Sequence, residues 1–309
     1  MDQKELPDDV SPAWSAIIAA LGVLPQAALS RGAGWVADTP LPPSWRRGVL
    51  GTFARTVGID VTEAELPLEQ YGSIGDFFVR RLRPGARTWP GDDAALASPV
   101  DGVIGRFGTI ERGRALQAKG RDYSVAQMLA DPAAGERYDG GTYLTIYLSP
   151  RHYHRIHAPC GGAIARATHV PGALLPVNAA AVAKVPNLFA RNERLICTID
   201  GPLGRVPVVA VGAYNVGRIS ASFERLRHDA AQHDLLWRTN VRDAAGETRN
   251  YDPPIPVRQG DEIMAFHLGS TVVMVFEPGR VELARELRAG DEIRAGSILG
   301  RIRINQEQA

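Results

Sequence analysis

The chain has 309 residues, enough to bury one large core and carry an appendage. Its 45% hydrophobic and 22% charged content is that of a soluble globular protein, and a net charge of +1 gives no bulk electrostatic case for nucleic acid. Two cysteines, Cys160 and Cys197, supply no disulfide framework and fit a reducing compartment. Residues 1–10 are acidic and lack the basic lead of a secretory signal, so none is expected.

Residues 14–29 are mostly apolar, with Trp14, Ile17, Ile18, Leu21 and Leu24 at helical spacing. Gly22 and Pro25 interrupt the run, which falls short of the ~20 apolar residues of a spanning helix. Trp35 and Trp45 follow among Arg31, Arg46 and Arg47, and a second helix is predicted over 45–57. Indoles and guanidinium groups beside a short apolar helix suit a helix lying in a membrane interface. They suit equally a pair of helices packed on the protein's own core.

From Ser98 onward the texture changes to short β-type runs bounded by Gly and Pro. Strands are predicted over 102–107, 143–148, 206–211, 272–276 and 298–304, and 266–276 reads as one strand-like run. Helices are predicted over 179–184 and 281–287. The polar stretch 238–259, with Pro253, Pro254 and Pro256, reads as a surface loop. The fold expected is α+β, with a mostly antiparallel, sandwich-like β domain. Two faint repeats support it. Ser98-Pro99-Val100-Asp101-Gly102-Val103-Ile104 resembles Ala158-Pro159-Cys160-Gly161-Gly162-Ala163-Ile164, and Gly260-Asp261-Glu262-Ile263 recurs as Gly290-Asp291-Glu292-Ile293. Similar hairpins are expected to pair.

Three places carry candidate chemistry. In Leu268-Gly269-Ser270-Thr271 the hydroxyl of Ser270 is placed to attack the carbonyl of Gly269, which lacks a Cβ and tolerates close approach. A Gly-Ser pair is also an ordinary turn. In Arg151-His152-Tyr153-His154-Arg155-Ile156-His157, three of the chain's seven histidines fall within six residues. Imidazoles exchange protons near neutral pH and also bind zinc. Cys160 has no close cysteine partner, which makes a metal the poorer reading. Asp101 precedes a glycine, as turn-forming aspartates do. Taken together, Ser270, His157 and Asp101 are a hydroxyl, a base and a carboxylate, the parts of a nucleophile triad.

Several segments resemble the pyruvoyl-dependent phosphatidylserine decarboxylases of bacteria. They are Phe77-Phe78-Val79-Arg80-Arg81-Leu82-Arg83-Pro84-Gly85, Ser98-Pro99-Val100-Asp101-Gly102, and Tyr147-Leu148-Ser149-Pro150 with Tyr153-His154-Arg155-Ile156-His157-Ala158-Pro159. Pro186-Asn187-Leu188-Phe189-Ala190-Arg191-Asn192-Glu193-Arg194, Val211-Gly212-Ala213 and Phe266-His267-Leu268-Gly269-Ser270-Thr271 complete the set, which spans residues 70–303 in the family's order. The resemblance implies that Asp101, His157 and Ser270 carry out self-cleavage between Gly269 and Ser270. The products would be a β chain (1–269) and an α chain (270–309) that stay associated. It implies a covalent pyruvoyl cofactor made from Ser270, with no metal. That group would form a Schiff base with phosphatidylserine and release CO2 and phosphatidylethanolamine, a step of phospholipid biosynthesis.

His154 would then serve the decarboxylation, and Arg80, Arg81 and Arg83 are candidates for the substrate phosphate. His152 and His267 match no implied role. Residues 1–70 become a helical membrane-interfacial segment ahead of a catalytic domain (71–309). The expected setting is peripheral, on the cytoplasmic face of the cell membrane, as a homodimer with no nucleic-acid partner. The rival readings are a pyruvoyl enzyme for a soluble amino acid such as tryptophan, an uncleaved carrier-like sandwich, and a zinc hydrolase. A carrier needs a modifiable lysine in a hairpin turn. The three lysines, Lys4, Lys119 and Lys184, all lie away from the repeated Gly-Asp-Glu-Ile units.

Overall fold

The computed structural model describes residues 34–92, 94–118, 121–177, 179–213, 218–223, 245–267 and 270–303. The apolar run 14–29 lies outside them. An eight-stranded sheet is ordered β11 (Glu247–Val257), β7 (Gly162–Val170), β8 (Arg194–Gly201), β9 (Gly204–Val211), β13 (Ser270–Phe276), β5 (Thr142–Leu148), β2 (Gly102–Thr109), β15 (Glu292–Ile293). A three-stranded sheet holds β10 (Ile219–Ala221), β12 (Glu262–Phe266) and β6 (Arg155–His157). Another holds β1 (Ala95–Ala97), β16 (Ile298–Ile302) and β14 (Val281–Leu283), and β3 (Arg114–Ala118) pairs with β4 (Arg121–Ser124). Every pairing between these strands is antiparallel. The helices are α1 (Pro43–Val57), α2 (Ile74–Phe78), α3 (Val125–Leu129), α4 (Ala134–Arg137), α5 (Ala179–Lys184) and α6 (Leu188–Arg191). The fold is α+β and mostly antiparallel, as expected.

Strand β13 has neighbours on both sides and every one of its residues is buried. Its run Val272-Val273-Met274-Val275-Phe276 is apolar on both faces, as a strand covered on both sides must be. Ser270 opens this strand opposite Leu148. Three expectations change here. The run 266–276 is two strands, not one: β12 ends at Phe266, and β13 starts at Ser270 in a different sheet. Residues 281–287 form strand β14 and a turn, not a helix, because pairing with β16 outweighs local helix propensity. Much of the expected loop is β11, at the sheet's edge among the described residues. Prolines are tolerated there, since an edge strand does not need every N–H, and the register shifts between Asn250 and Ile255.

The first repeat is structural. The two copies lie side by side and exchange backbone bonds, Ala97 N–H donating to Pro159 O (3.0 Å) and His157 N–H to Pro99 O (2.9 Å). This exchange brings the Asp101 loop to the end of β6, where His157 sits. In the second repeat both glycines have positive φ (Gly260 +92°, Gly290 +94°). In both, the aspartate carboxylate caps the turn, accepting from Arg258 N–H (2.7 Å) and Arg288 N–H (3.0 Å). The two turns share a conformation but serve different sheets.

Helix α1 starts with Pro43 and stops at the left-handed Gly58. It buries Leu50 and Ala54 in a small cluster with Ile59, Ala64, Tyr71 and Phe77. This cluster runs across residue 70. No described helix is long and apolar enough to cross a membrane.

The two repeated glycines make a paired test. An added Cβ at Gly290 meets nothing within 4 Å, whereas at Gly260 it falls 2.7 Å from the Trp89 ring. Gly290→Ala should cost about 1 kcal/mol of backbone strain. Gly260→Ala should cost roughly 1–3 kcal/mol more through overpacking. Urea unfolding of both variants checks the difference.

Candidate active site

The site forms where three segments meet: the start of β13, the β5–β6 connection with β6, and the loop after α2. Ser270 is fully buried and its Oγ has no hydrogen-bond partner among the described residues. Thr271 Oγ1, the next side chain, is also buried and unpartnered. A hydroxyl left dry and unbonded costs stability. Such a cost persists where the group is needed for chemistry.

His157 is held from both nitrogens. Its Nδ1 lies 2.7 Å from Gly260 O and its Nε2 lies 3.1 Å from the Tyr153 hydroxyl. A carbonyl only accepts, so Nδ1 carries the proton and donates, and Nε2 accepts from Tyr153 Oη–H. Tyr153 and Trp89 also flank the ring, with centroids 5.6 and 5.2 Å away. Burial lowers the His157 pKa and the Gly260 carbonyl only partly opposes it. The ring is therefore a neutral base with its lone pair on Nε2.

Asp101 is buried in the adjoining loop, but its partner is not His157. Arg87 Nε donates to Asp101 Oδ1 (2.8 Å), Arg87 Nη2 donates to Oδ2, and Ala295 N–H donates to Oδ1 (2.8 Å). Arg87 also reaches Glu63 through Nη1 (3.1 Å) and Nη2 (2.9 Å). Burial opposes the Arg87 charge, yet its two carboxylate partners outweigh that and raise its pKa. Asp101 acts on the His157 ring through its field, favouring the protonated form. Asp101 and His157 thus lie within reach of each other's field, while Ser270 lies opposite Leu148 at the end of β5; among the described residues neither Asp101 nor Ser270 hydrogen-bonds His157.

His154 is 1% exposed, with neither ring nitrogen hydrogen-bonded among the described residues. Its ring lies 4.1 Å from that of Phe78. Burial and the neighbouring Arg80 charge push its pKa well down. The three candidate arginines part company. Arg80 is buried, whereas Arg81 and Arg83 are exposed. Arg81 lies 3.9 Å from Glu262. His152 caps its own turn, Nδ1 accepting from Ser149 N–H (3.0 Å), and burial lowers its pKa to about 4. His267 Nε2 lies 3.1 Å from Ser220 Oγ, in the β10 and β12 region. Two residues of the 186–194 segment are structural: Asn192 bonds Leu175 and Gly212, and Arg194 bonds carbonyls of α3 and the α6 turn.

Pattern reading missed Arg87, Tyr153, Trp89 and the Gly260 carbonyl as parts of the site. Tyr153 lies inside a quoted motif and Arg87 just beyond one, but nothing local marks either side chain as a partner of His157 or Asp101. Among the described residues, no three His, Cys, Asp or Glu side chains could hold a metal ion.

The chain matches the family model described as phosphatidylserine decarboxylase over residues 74–301. A phosphatidylserine decarboxylase proenzyme of Anaeromyxobacter sp. (strain K) is 44% identical over 283 residues, 92% of this chain and 97% of the relative. The proenzyme of Myxococcus xanthus is 38% identical over 278 residues, 90% of this chain and 95% of the relative. That of Acidovorax ebreus is 40% identical over 288 residues, covering 90% and 94%. The family model and these relatives mark the chain as an enzyme, a carboxy-lyase. The chain belongs to the phosphatidylserine decarboxylase family.

The buried histidines predict a pH dependence of stability. His152, His154 and His157 all have folded pKa values below the usual ~6.5. The unfolded chain therefore takes up protons that the folded chain refuses, so stability falls as the pH drops below about 6.5. The fall continues down to about 4, where His152 itself titrates in the fold. Urea unfolding at near-neutral and mildly acidic pH should show this loss, and His154→Gln should remove part of it.

Proposed function

We propose that the protein is a self-processing decarboxylase that converts phosphatidylserine to phosphatidylethanolamine and CO2 by way of a pyruvoyl group made from Ser270. The observation that carries this is Ser270 itself, a fully buried, unpartnered hydroxyl at the head of the central strand, immediately after Gly269.

The processing chemistry balances in four steps. Ser270 Oγ attacks the Gly269 carbonyl, the Gly269–Ser270 C–N bond breaks, and the acyl group moves to oxygen as an ester. A base removes the Ser270 Cα proton, and elimination releases the Gly269 carboxylate and leaves a dehydroalanine. Tautomerisation gives an imine, and water hydrolyses it to a ketone and ammonia. The neutral His157 is the base for this sequence, oriented by Gly260 O through Nδ1–H. Its lone pair faces Tyr153, which must yield it for the reaction to start. Asp101, paired with Arg87, adds a field that favours the imidazolium. The new α chain keeps β13 paired on both sides with β5 and β9, so the two chains remain one fold.

A pyruvoyl group at the head of β13 would supply the sink for the electrons left when CO2 departs from the serine headgroup. His154, dry and neutral, handles the proton at that end of the substrate. The apolar surroundings of Phe78 and Ile156 favour loss of a charged carboxylate. The substrate is a lipid, and the exposed Trp35 (75%), Val36 (61%) and Trp45 (64%) give the 34–57 region an apolar surface. Arg46 and Arg47 sit beside it on α1. Our reading is peripheral attachment to the cytoplasmic face of the cell membrane, as a homodimer of processed protomers.

Intact mass under denaturing conditions tests the proposal. Wild-type protein should give a 1–269 fragment and a 270–309 fragment lighter by ammonia; a single full-length mass after prolonged incubation would refute it. Ser270→Ala should stay intact and inactive. His154→Ala should cleave but release CO2 from phosphatidylserine at least about a hundredfold more slowly. A block in cleavage by that change would overturn the division of roles. Trp35→Ser/Trp45→Ser should lower sedimentation with anionic vesicles, while processing continues.

A further inference from the structure

Arg80 is an unusual group in this fold. It is 4% exposed, and its Nε and Nη1 have no hydrogen-bond partner among the described residues. Among the described residues Nη2 makes only two long contacts, to the carbonyls of Arg151 (3.4 Å) and His152 (3.5 Å). Its Cζ stands 5.5 Å from the Phe77 ring centre. The carboxylates whose fields reach it, Asp101 and Glu63, are both taken by Arg87. A guanidinium keeps its charge in proteins, so this is a buried cation with spare donors and no anion among the described residues. By contrast, Arg87 meets two carboxylates and the buried Arg194 meets four carbonyls.

The surroundings fix Arg80 in place. Ser73 caps α2 by accepting from Asp76 N–H (3.0 Å), and α2 drives Phe77 and Phe78 into the interior. Arg155 Nε clamps the Val79 carbonyl (2.9 Å), tying this segment to β6. Phe78 lies against His154, whose two nitrogens are also unpartnered. A fork of N–H donors beside an open imidazole is a preorganised cradle for an oxyanion.

We propose that Arg80 is the phosphate-binding residue of the substrate site, receiving the phosphodiester of the lipid headgroup. This rests on the functional reading above. The substrate offers two anions, and the reaction distinguishes them. The carboxylate leaves as neutral CO2, so a cation fixed on it would hold the ground state more tightly than the transition state and slow the step. The phosphodiester keeps its charge throughout, so a cation on it binds ground and transition states alike. Arg80 therefore governs affinity, and neutral His154 is left to the reacting end. Arg81 and Arg83, exposed to solvent, have no such part.

The test uses processed protein: wild type, Arg80→Gln, Arg80→Lys and the control Arg83→Gln. Glycerophosphoethanolamine, the water-soluble headgroup, is titrated calorimetrically, and phosphatidylserine turnover is measured in mixed micelles. Arg80→Gln should abolish the binding heat and raise KM at least about tenfold, with kcat within about threefold of wild type. Arg80→Lys should recover part of the affinity, and Arg83→Gln should behave as wild type. Unchanged binding and KM in Arg80→Gln would overturn the assignment. So would a fall in kcat with binding intact, which would put Arg80 on the carboxylate. If Arg80→Gln does not fold, competition against wild type decides: inhibition by glycerol phosphate but not by ethanolamine supports the subsite, and equal effects refute it. A wild-type chain that neither cleaves nor decarboxylates would instead bring down the functional reading.

Discussion

The burial of β13 is the constraint on which the site rests. A strand with all its residues enclosed and neighbours on both edges has its register set by two ladders at once. Its first residue is therefore held as firmly as its last. That residue is Ser270, and the firmness places a hydroxyl in the interior with no bond to make. The valine-rich body of the strand stabilises the fold enough to carry this unsatisfied polar end.

The same logic governs the groups around it. His154, His157, Asp101, Arg87 and Arg80 are all drawn from water, and in each case the local pairing decides what burial does. Asp101 is gripped by the Arg87 fork. His157 is neutral because burial opposes the imidazolium more strongly than the Gly260 carbonyl favours it. Arg80 has no counter-charge of its own among the described residues. Dry surroundings strengthen every one of these fields. The reciprocal backbone bonds between the 97–99 and 157–159 segments bring the two halves of the set together, so the internal repeat is a positioning device as much as a relic of symmetry.

Much of the site was legible in the residues. Ser270, His154, His157 and Asp101 stand in short segments whose order resembles one family, and strands β2, β5, β9 and β13 follow from runs of branched and aromatic residues. Where the reading failed, long-range pairing was the cause. Residues 281–287 carry helix-forming Glu, Leu, Ala and Arg, yet β16 draws Val281–Leu283 into a sheet. The prolines of β11 looked like loop punctuation until an edge position made their missing donors harmless.

What the sequence determined by itself is the chemical inventory and the family: which hydroxyl, imidazoles and carboxylate are present, and the peptide bond on which they would act. Only the tertiary structure decided the partners. It gave Asp101 to Arg87, set the His157 tautomer through a carbonyl 103 residues away, and separated Arg80 from Arg81 and Arg83. Periodicity and motif report what is near along the chain. Desolvation and hydrogen-bond satisfaction depend on what is near in space, and those two quantities set charge, protonation and readiness to bind.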